Sequence, residues 1–192
     1  MKIGVLALQG AFREHIGIIQ ELGIEALPVR LPDQLDGLDG LIIPGGESTS
    51  ILKLMHSFDL VHPMREMAEA GLPIFGTCAG MVCLARKVSN HGLETLSVMD
   101  IVVTRNAFGR QVDSFETELA IPALGDKPFP AIFIRAPYIE RAEPRVEILA
   151  RLPSGVAVAC RQGKFLATSF HPELTSDPRL HSYFLKIVAS TI

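Results

Sequence analysis

"PIFGTCAG", residues Pro73 to Gly80, places a lone cysteine between glycines directly after a short apolar run. Pro73 to Phe75 predicts a buried strand, and a helix is expected to begin around Cys78. The same alternation of apolar runs with amphipathic stretches fills the first half of the chain. The other strands are predicted at Lys2 to Leu8, Ala26 to Arg30 and Gly40 to Ile43, and the other helices at Phe12 to Leu22, Thr49 to Ser57 and Pro63 to Ala70. This order predicts a parallel sheet with helices on both faces.

The second half of the chain has strand candidates in close succession, which predicts hairpins and an antiparallel extension. They lie at Leu96 to Thr104, Phe115 to Ile121, Ala131 to Arg135, Val146 to Leu152, Val156 to Arg161 and Phe165 to Phe170. A last helix is expected with Asp177 as its N-cap and Pro178 in its first turn. The expected fold is α/β, with one domain over residues 1–192 and a mostly parallel sheet.

Composition narrows the class of protein. The chain has 192 residues, of which 48% are hydrophobic and 20% charged, and its formal net charge is -3. With this net charge the chain lacks the excess of lysine and arginine that is typical of nucleic-acid-binding proteins. No apolar run has the length of a membrane span, and charged residues follow the opening MKIGVLAL where a signal peptide needs small ones. The three cysteines and six histidines show no disulfide or metal-ligand spacing, so we expect a cytoplasmic protein without a bound metal.

Gly76-Thr77-Cys78-Ala79-Gly80 has the G-x-nucleophile-x-G form of a strand-to-helix elbow. In such an elbow the helix N-terminus favours a thiolate, and side chains at the glycine positions would collide with neighbouring strands. Cys78 is therefore a candidate nucleophile. The alternative interpretation is a small buried hydrophobic residue, which is the interpretation we favour for Cys83 and Cys160.

Two further stretches supply what a catalytic thiol requires. In "SFHPEL", His171 and Glu173 stand two residues apart after a predicted strand, so the carboxylate can orient the imidazole as a base. In "PGGEST", Pro44 to Thr49, consecutive glycines between a strand and a helix leave backbone N–H groups free to stabilise an oxyanion. In "TRNAFGRQVDSFE", Thr104 to Glu116, Arg105 is a candidate partner for a substrate carboxylate. Each of these also has an ordinary structural interpretation as a strand cap, a tight turn or a surface cation.

Together these motifs resemble the class I glutamine amidotransferases, whose fold is flavodoxin-like. The blocks "LALQGAFREH", "GTCAGM", "RNAFGRQVDSFE", "FIRAP" and "SFHPELT" are similar to the branch of glutaminases that serves pyridoxal 5'-phosphate synthase. They are spread over nearly the whole chain, and "RNAFGRQ" and "FIRAP" are the blocks specific to this branch.

The resemblance implies that Cys78 is the nucleophile, His171 the general base and acid, and Glu173 the orienting carboxylate. It further implies that glutamine is bound by Gly46, Glu47, Ser48, Arg105, Ile134 and Arg135. It assigns the oxyanion site to Gly46 and Ala79. It implies no cofactor in this chain, and a heteromeric complex in which a synthase subunit receives the ammonia. Residues Gln9 to Glu14 are the predicted docking face, and partner docking is expected to turn a peptide near Gly45 and Gly46.

Three other functions fit parts of this pattern. The chain could be the glutaminase of a different synthase, although "RNAFGRQ" argues against it. It could be a non-catalytic interaction module on the same fold, although such a module has no reason to keep Cys78, His171 and Glu173 together. A cysteine hydrolase that acts on peptides is the third, and the glycine-rich turn and Arg105 fit a small amino-acid substrate better.

Overall fold

The computed structural model describes residues 1–89, 92, 94–105 and 114–191. The middle of the "RNAFGRQVDSFE" motif, with Arg110, and His91 therefore lie outside the described residues. The strands are β1 (Lys2–Leu6), β2 (Glu25–Val29), β3 (Gly40–Ile43), β4 (Ile74–Thr77), β5 (Ala85–Val88), β6 (Met99–Thr104), β7 (Ser114–Leu119), β8 (Phe129–Ile134), β9 (Tyr138–Ala142), β10 (Glu147–Arg151), β11 (Ala157–Gln162) and β12 (Phe165–Thr168). The helices are α1 (Phe12–Glu21), α2 (Ser48–Ser57), α3 (Val61–Glu69), α4 (Ala79–Leu84) and α5 (Arg179–Ala189).

A mixed sheet runs through the centre of the molecule in the order β2-β1-β3-β4-β12-β11-β9-β6-β5, and β10 pairs with β11. The neighbouring strands in the run β2-β1-β3-β4-β12 pair in parallel, and so do β5 and β6. β11 pairs antiparallel with β12, β10 and β9. β7 and β8 form a separate antiparallel ribbon. The predicted α/β fold with an antiparallel extension is confirmed.

Two apolar clusters lie on opposite faces of the sheet, as the amphipathic patterns predict. α2, α3 and α4 cover one face, where Leu52, Met55 and Met64 are buried. α1, α5 and the β7–β8 ribbon cover the other, where Ile19 and Phe184 are buried. Each such side chain contributes roughly 1.5–3 kcal/mol when removed from water, so the helices are held mainly by this burial.

Several local predictions differ from the structure. The helix after the elbow, α4, has only six residues and is followed by β5, which the sequence did not predict. β9 was also missed, because its sequence YIERA carries two exposed charged residues and lacks an apolar alternation. The last helix begins at Arg179 with Pro178 as its N-cap rather than Asp177. The Asp177 carboxylate nevertheless accepts the Arg179 backbone N–H at 3.0 Å.

None of the helices in the described part of the chain has the length and apolarity needed to cross a lipid bilayer.

β4 and α4 are packed against each other and against β3 with no room for a side chain at Gly76 or Gly80. A Cβ on Gly80 would lie 2.0 Å from the backbone oxygen of Ile43, and a Cβ on Gly76 would lie 2.6 Å from the Gly80 backbone. Since backbone atoms cannot rotate away as a side chain can, these glycines set how closely α4 approaches the sheet. This is the collision that the elbow motif predicts.

Gly80→Ala is expected to lower the free energy of unfolding by about 1–3 kcal/mol, because the new methyl group forces α4 away from Ile43. Gly17→Ala is the matched control: Gly17 lies inside α1, a Cβ added there would have nothing within 4 Å, and alanine favours the helix by about 1 kcal/mol. Urea denaturation of both variants measures the difference. Equal stabilities for the two would contradict the packing described here.

Candidate active site

Cys78 occupies the sharp turn between β4 and α4. Its backbone has φ 48° and ψ -103°, a conformation that side-chain-bearing residues rarely adopt. The turn is held in place because the Cys78 backbone N–H donates to the Thr168 carbonyl of β12 at 2.8 Å. The strained turn thus presents the thiol at the carboxyl end of the sheet, at the start of a helix.

His171 and Glu173 follow β12 and form a hydrogen-bonded pair. The His171 Nδ1 lies 2.7 Å from Glu173 Oε1, and the Glu173 side chain is fully buried. His171 has a non-helical backbone, as Pro172 predicts, whereas Pro172–Leu174 form a short 3₁₀ turn instead of the extended segment assumed from the spacing. The His171 backbone N–H is fixed by the Ile132 carbonyl of β8 at 2.8 Å.

The pKa of His171 is raised to about 10. Burial alone would lower it, but hydrogen bonds and charge interactions with Cys78 and Glu173 outweigh the burial and favour the imidazolium. This interaction stabilises the fold fully below the ordinary histidine pKa of 6.5, and its contribution is lost as the pH rises through about 10. The arrangement therefore favours a protonated imidazole beside the Cys78 sulfur.

Gly45 lets the thiol and the imidazole come together. A Cβ on Gly45 would lie 2.3 Å from the His171 ring and 3.3 Å from the Cys78 Cβ. Any side chain at position 45 would therefore displace the imidazole. The loop after β3, the elbow after β4 and the segment after β12 meet at this point because the three strands are neighbours in the sheet.

These side chains open into a cavity of about 360 Å³, a size that suits a small ligand. It is lined by Gly46, Glu47, Ser48, Cys78, Ala79, Val82, Arg105, Ile134, Arg135, Pro137 and His171. Of the predicted site residues, Glu173 alone does not line the cavity, since it lies behind His171. Val82 and Pro137 were not predicted. The backbone of Arg135 has φ 43°, a second strained position at the rim.

Arg105 is held over the cavity by the first turn of α2. Its guanidinium donates to Glu47 Oε1 at 2.9 Å and to Thr49 Oγ1 at 3.1 Å. Glu47 is the N-cap of α2, and its carboxylate also accepts the backbone N–H groups of Thr49 and Ser50. Burial raises the pKa of Glu47, but hydrogen bonds from the backbone and side chains of Thr49 and Ser50 outweigh it and bring the pKa to about 2. The Glu47 carboxylate thus serves both as a helix cap and as an anchor for Arg105.

The glycine-rich loop after β3 is tied to the chain that follows β1. The Gly45 carbonyl accepts the Ala11 backbone N–H at 3.1 Å, and Gln9 Oε1 accepts the Glu47 backbone N–H at 2.8 Å. A Cβ on Gly10 would lie 1.8 Å from the Gly45 oxygen, so the two segments are in close contact. The conformation of the loop is therefore coupled to the position of residues 9–11.

Sequence reasoning missed a buried polar cluster next to Glu173, formed by His15, Thr77 and His181. All three residues are 0% exposed. Histidine spacing could not reveal them, because they come from α1, β4 and α5. A signal was present in the helical periodicity: His15 lies four residues before Ile19, and His181 three before Phe184, both on apolar faces.

Known proteins resemble this chain in sequence and in structure. The model of the SNO glutamine amidotransferase family matches residues 5–190. The pyridoxal 5'-phosphate synthase subunit PdxT of Moorella thermoacetica is 59% identical over 188 residues, which cover 98% of this chain and 100% of that protein. A crystal structure of a glutamine amidotransferase is 50% identical with a TM-score of 0.93, covering 98% of this chain and 100% of the other. PurLQS from Thermotoga maritima has a TM-score of 0.72 at 15% identity, covering 97% and 99%, and shares the fold alone.

Alkylation of Cys78 by iodoacetamide near neutral pH is expected to slow at least about tenfold in His171→Ala, because the thiolate loses the imidazolium beside it. Cys83 and Cys160 are internal controls, since burial raises the pKa of each to about 12. Mass spectrometry of the labelled protein identifies the modified residue. The same rate in His171→Ala as in the unchanged protein would contradict the paired thiolate, and label in Cys78→Ala would show that another thiol reacts.

Proposed function

Because the chain belongs to the SNO glutamine amidotransferase family, we propose that it hydrolyses L-glutamine to L-glutamate and ammonia as the glutaminase subunit of pyridoxal 5'-phosphate synthase. The observation that carries this proposal is the convergence of Cys78 and His171 at one cavity of amino-acid size, with Glu173 hydrogen-bonded to His171 behind it. The relatives named as synthase subunits match over nearly the full chain, which favours this synthase over another.

In the proposed mechanism the Cys78 thiolate attacks the carboxamide carbon of glutamine. His171 gives its proton to the leaving nitrogen, so that ammonia departs and a γ-glutamyl thioester remains on Cys78. A water molecule then loses a proton to His171 and attacks the thioester, which releases glutamate and restores the thiolate beside an imidazolium. Glu173 holds the imidazole by Nδ1 throughout, so that Nε2 faces the reacting atoms.

Recognition of glutamine is proposed to rest on Arg105 at one end of the cavity and on the elbow at the other. A guanidinium held by Glu47 and Thr49 can form a charge-assisted pair with the α-carboxylate of the substrate. Ile134 and Arg135 close the cavity near the thiol, since the Ile134 carbonyl lies 3.9 Å from Cys78 Sγ. Gly46, Glu47 and Ser48 supply the backbone along the remaining side.

The oxyanion of the tetrahedral intermediate is proposed to bind the backbone N–H groups of Gly46 and Ala79. Ala79 is the first residue of α4, where N–H groups have no partner inside the helix. A donor of this kind contributes about 3 kcal/mol to transition-state stabilisation in comparable sites.

We propose that the synthase subunit docks near residues 9–14 and thereby releases the loop. The Gly45 carbonyl and the Glu47 N–H are bonded to Ala11 and Gln9, so a shift of this segment frees a peptide to turn and complete the oxyanion site. The ammonia would pass within the complex to the synthase, which condenses it with a pentose phosphate and a triose phosphate. In this scheme the chain works in the cytoplasm and binds no cofactor of its own.

The first test is glutamate release from glutamine by this chain alone and with the synthase subunit. The synthase is expected to stimulate release at least about tenfold. Cys78→Ala is expected to reduce the stimulated rate by about 10⁴-fold or more, because it removes the nucleophile. Cys83→Ala is the matched control, since this thiol is buried in α4 and does not line the cavity.

The outcomes of this test separate the alternatives. No glutamate from any mixture would favour the non-catalytic module. Full activity without the synthase would contradict the proposed control of activity by partner docking, and the identity of the partner synthase would then be undecided.

A second test addresses the gate. Gln9→Ala removes the acceptor for the Glu47 N–H, so the loop should turn more readily and glutamate release without the synthase should rise about two- to tenfold. A steady-state assay of the isolated subunit measures it. An unchanged or lower rate in the isolated variant would show that Gln9 does not hold the resting loop.

A further inference from the structure

The triad stands on a second layer of buried polar side chains. Glu173 Oε1 bonds to His171, while Glu173 Oε2 is buried and has no hydrogen bond among the described residues. His15 Nε2 lies 3.5 Å from Oε2, which is slightly beyond ordinary hydrogen-bond length. His15 Nε2 also lies 3.2 Å from Thr77 Oγ1, and His15 Nδ1 lies 2.9 Å from His181 Nε2.

Both buried histidines are neutral. Burial, together with the positive charges that His181 and His171 can carry, lowers the pKa of His15 well below 6.5. Burial lowers the pKa of His181 to about 4. Each ring therefore has one N–H, and the contact between His15 Nδ1 and His181 Nε2 requires one ring to donate and the other to accept.

Two arrangements of the protons satisfy this contact. In the first, His15 Nδ1–H donates to His181, which leaves a His15 lone pair facing the Glu173 carboxylate and a buried His181 Nδ1–H without an acceptor. In the second, His181 Nε2–H donates to His15, and His15 Nε2–H faces Glu173 Oε2 and Thr77 Oγ1. The second leaves only an unpaired acceptor at His181 Nδ1, which costs less than an orphaned donor.

We propose that His15 is a positioning residue for the triad, which directs its Nε2–H at Glu173 Oε2 and so fixes the carboxylate that orients His171. His181 supports this role by donating to His15 Nδ1 and thereby setting its tautomer. The predicted effect of His15 on catalysis rests on the proposed glutaminase activity. The predicted tautomers of His15 and His181 do not depend on it. The geometry gives both carboxylate oxygens a histidine, one from the site and one from α1.

The tautomers can be measured on the unchanged protein without any assay of activity. Long-range ¹H–¹⁵N spectra of the labelled chain separate the two neutral tautomers of each imidazole, and His15→Gln and His181→Gln assign the signals. We expect His15 and His181 both as neutral Nε2–H forms near neutral pH. A His15 ring protonated at Nδ1 instead would overturn the proposal, whatever the enzyme does.

The role in catalysis is tested in the complex with the synthase by two substitutions of His15. His15→Leu fills similar volume but has no donor, and kcat should fall about 10–100-fold, as when the outer partner of a site histidine is removed. KM for glutamine should stay within about twofold, because His15 does not reach the cavity. His15→Gln keeps an N–H group at a similar distance from the carboxylate, and we expect it to retain most of the activity.

The pH profile separates positioning from packing. A loosely held Glu173 stabilises the imidazolium of His171 less, so the basic limb of the profile should move to lower pH in His15→Leu and return in His15→Gln. The groups facing this cluster are His181 from α5, Thr77 from β4, and His171 and Glu173 after β12. Ile19→Val, a buried change one turn further along α1, controls for lost packing and should leave the limb in place.

Equal losses in the leucine and glutamine variants with an unmoved limb would reduce His15 to a packing role and overturn the proposal. If His15→Leu does not fold, the tautomers and the His15→Gln profile still decide it. If the unchanged complex releases no glutamate, the proposed function fails, and the tautomer measurement alone tests the geometry of the carboxylate.

Discussion

The close approach of three strand ends is the constraint on which the rest of the site depends. β3, β4 and β12 are neighbours, and their register places Ile43 beside Gly76 and Thr77 beside Thr168. The segments that follow these strands must therefore share one small space. They do so because position 45 has no side chain, so that the imidazole and the thiol can both pack against it. Steric exclusion by the backbone, more than any single bond, sets how the Cys78 thiol and the His171 imidazole meet.

α1 and the residues before it contact this region at two levels. Near the surface, Gln9 and Ala11 hold the glycine-rich loop by its backbone. Below, His15 Nε2 lies 3.5 Å from Oε2 of Glu173, whose other carboxylate oxygen bonds to His171. One segment of chain thus touches both the proposed oxyanion loop and the triad. A displacement of this segment would shift both the glycine-rich loop and the surroundings of Glu173. A partner bound to the segment could therefore act on catalysis without entering the cavity.

The sequence predicts most of the parallel half of the fold, because apolar periodicity and glycine breaks are local features that survive in the folded chain. The same is true of Cys78, His171 and Glu173, whose motifs each follow a strand. It does not predict the buried pair of His15 and His181, since their contact joins residues 166 positions apart and each looks like one more polar residue in a helix. β5 and β9 were missed for a similar reason, because pairing with a neighbouring strand overrides weak local propensity.

The strength of the contacts that hold the glycine-rich loop after β3 determines how easily a partner could turn this loop while Cys78, His171 and Glu173 stay in place. The bonds from Gly45 and Glu47 to the chain after β1 are two ordinary hydrogen bonds, one to the Ala11 backbone and one to the Gln9 side chain, each worth about 0.5–1.5 kcal/mol net. Together they favour the resting loop by about 1–3 kcal/mol, a population ratio of roughly 5 to 150. A partner needs only that much difference in affinity between the two loop states to turn the peptide. In the proposed gating, the chemistry can therefore be controlled by a contact far weaker than the packing that builds the site, because the turn would move one peptide and leave the strand ends where they are.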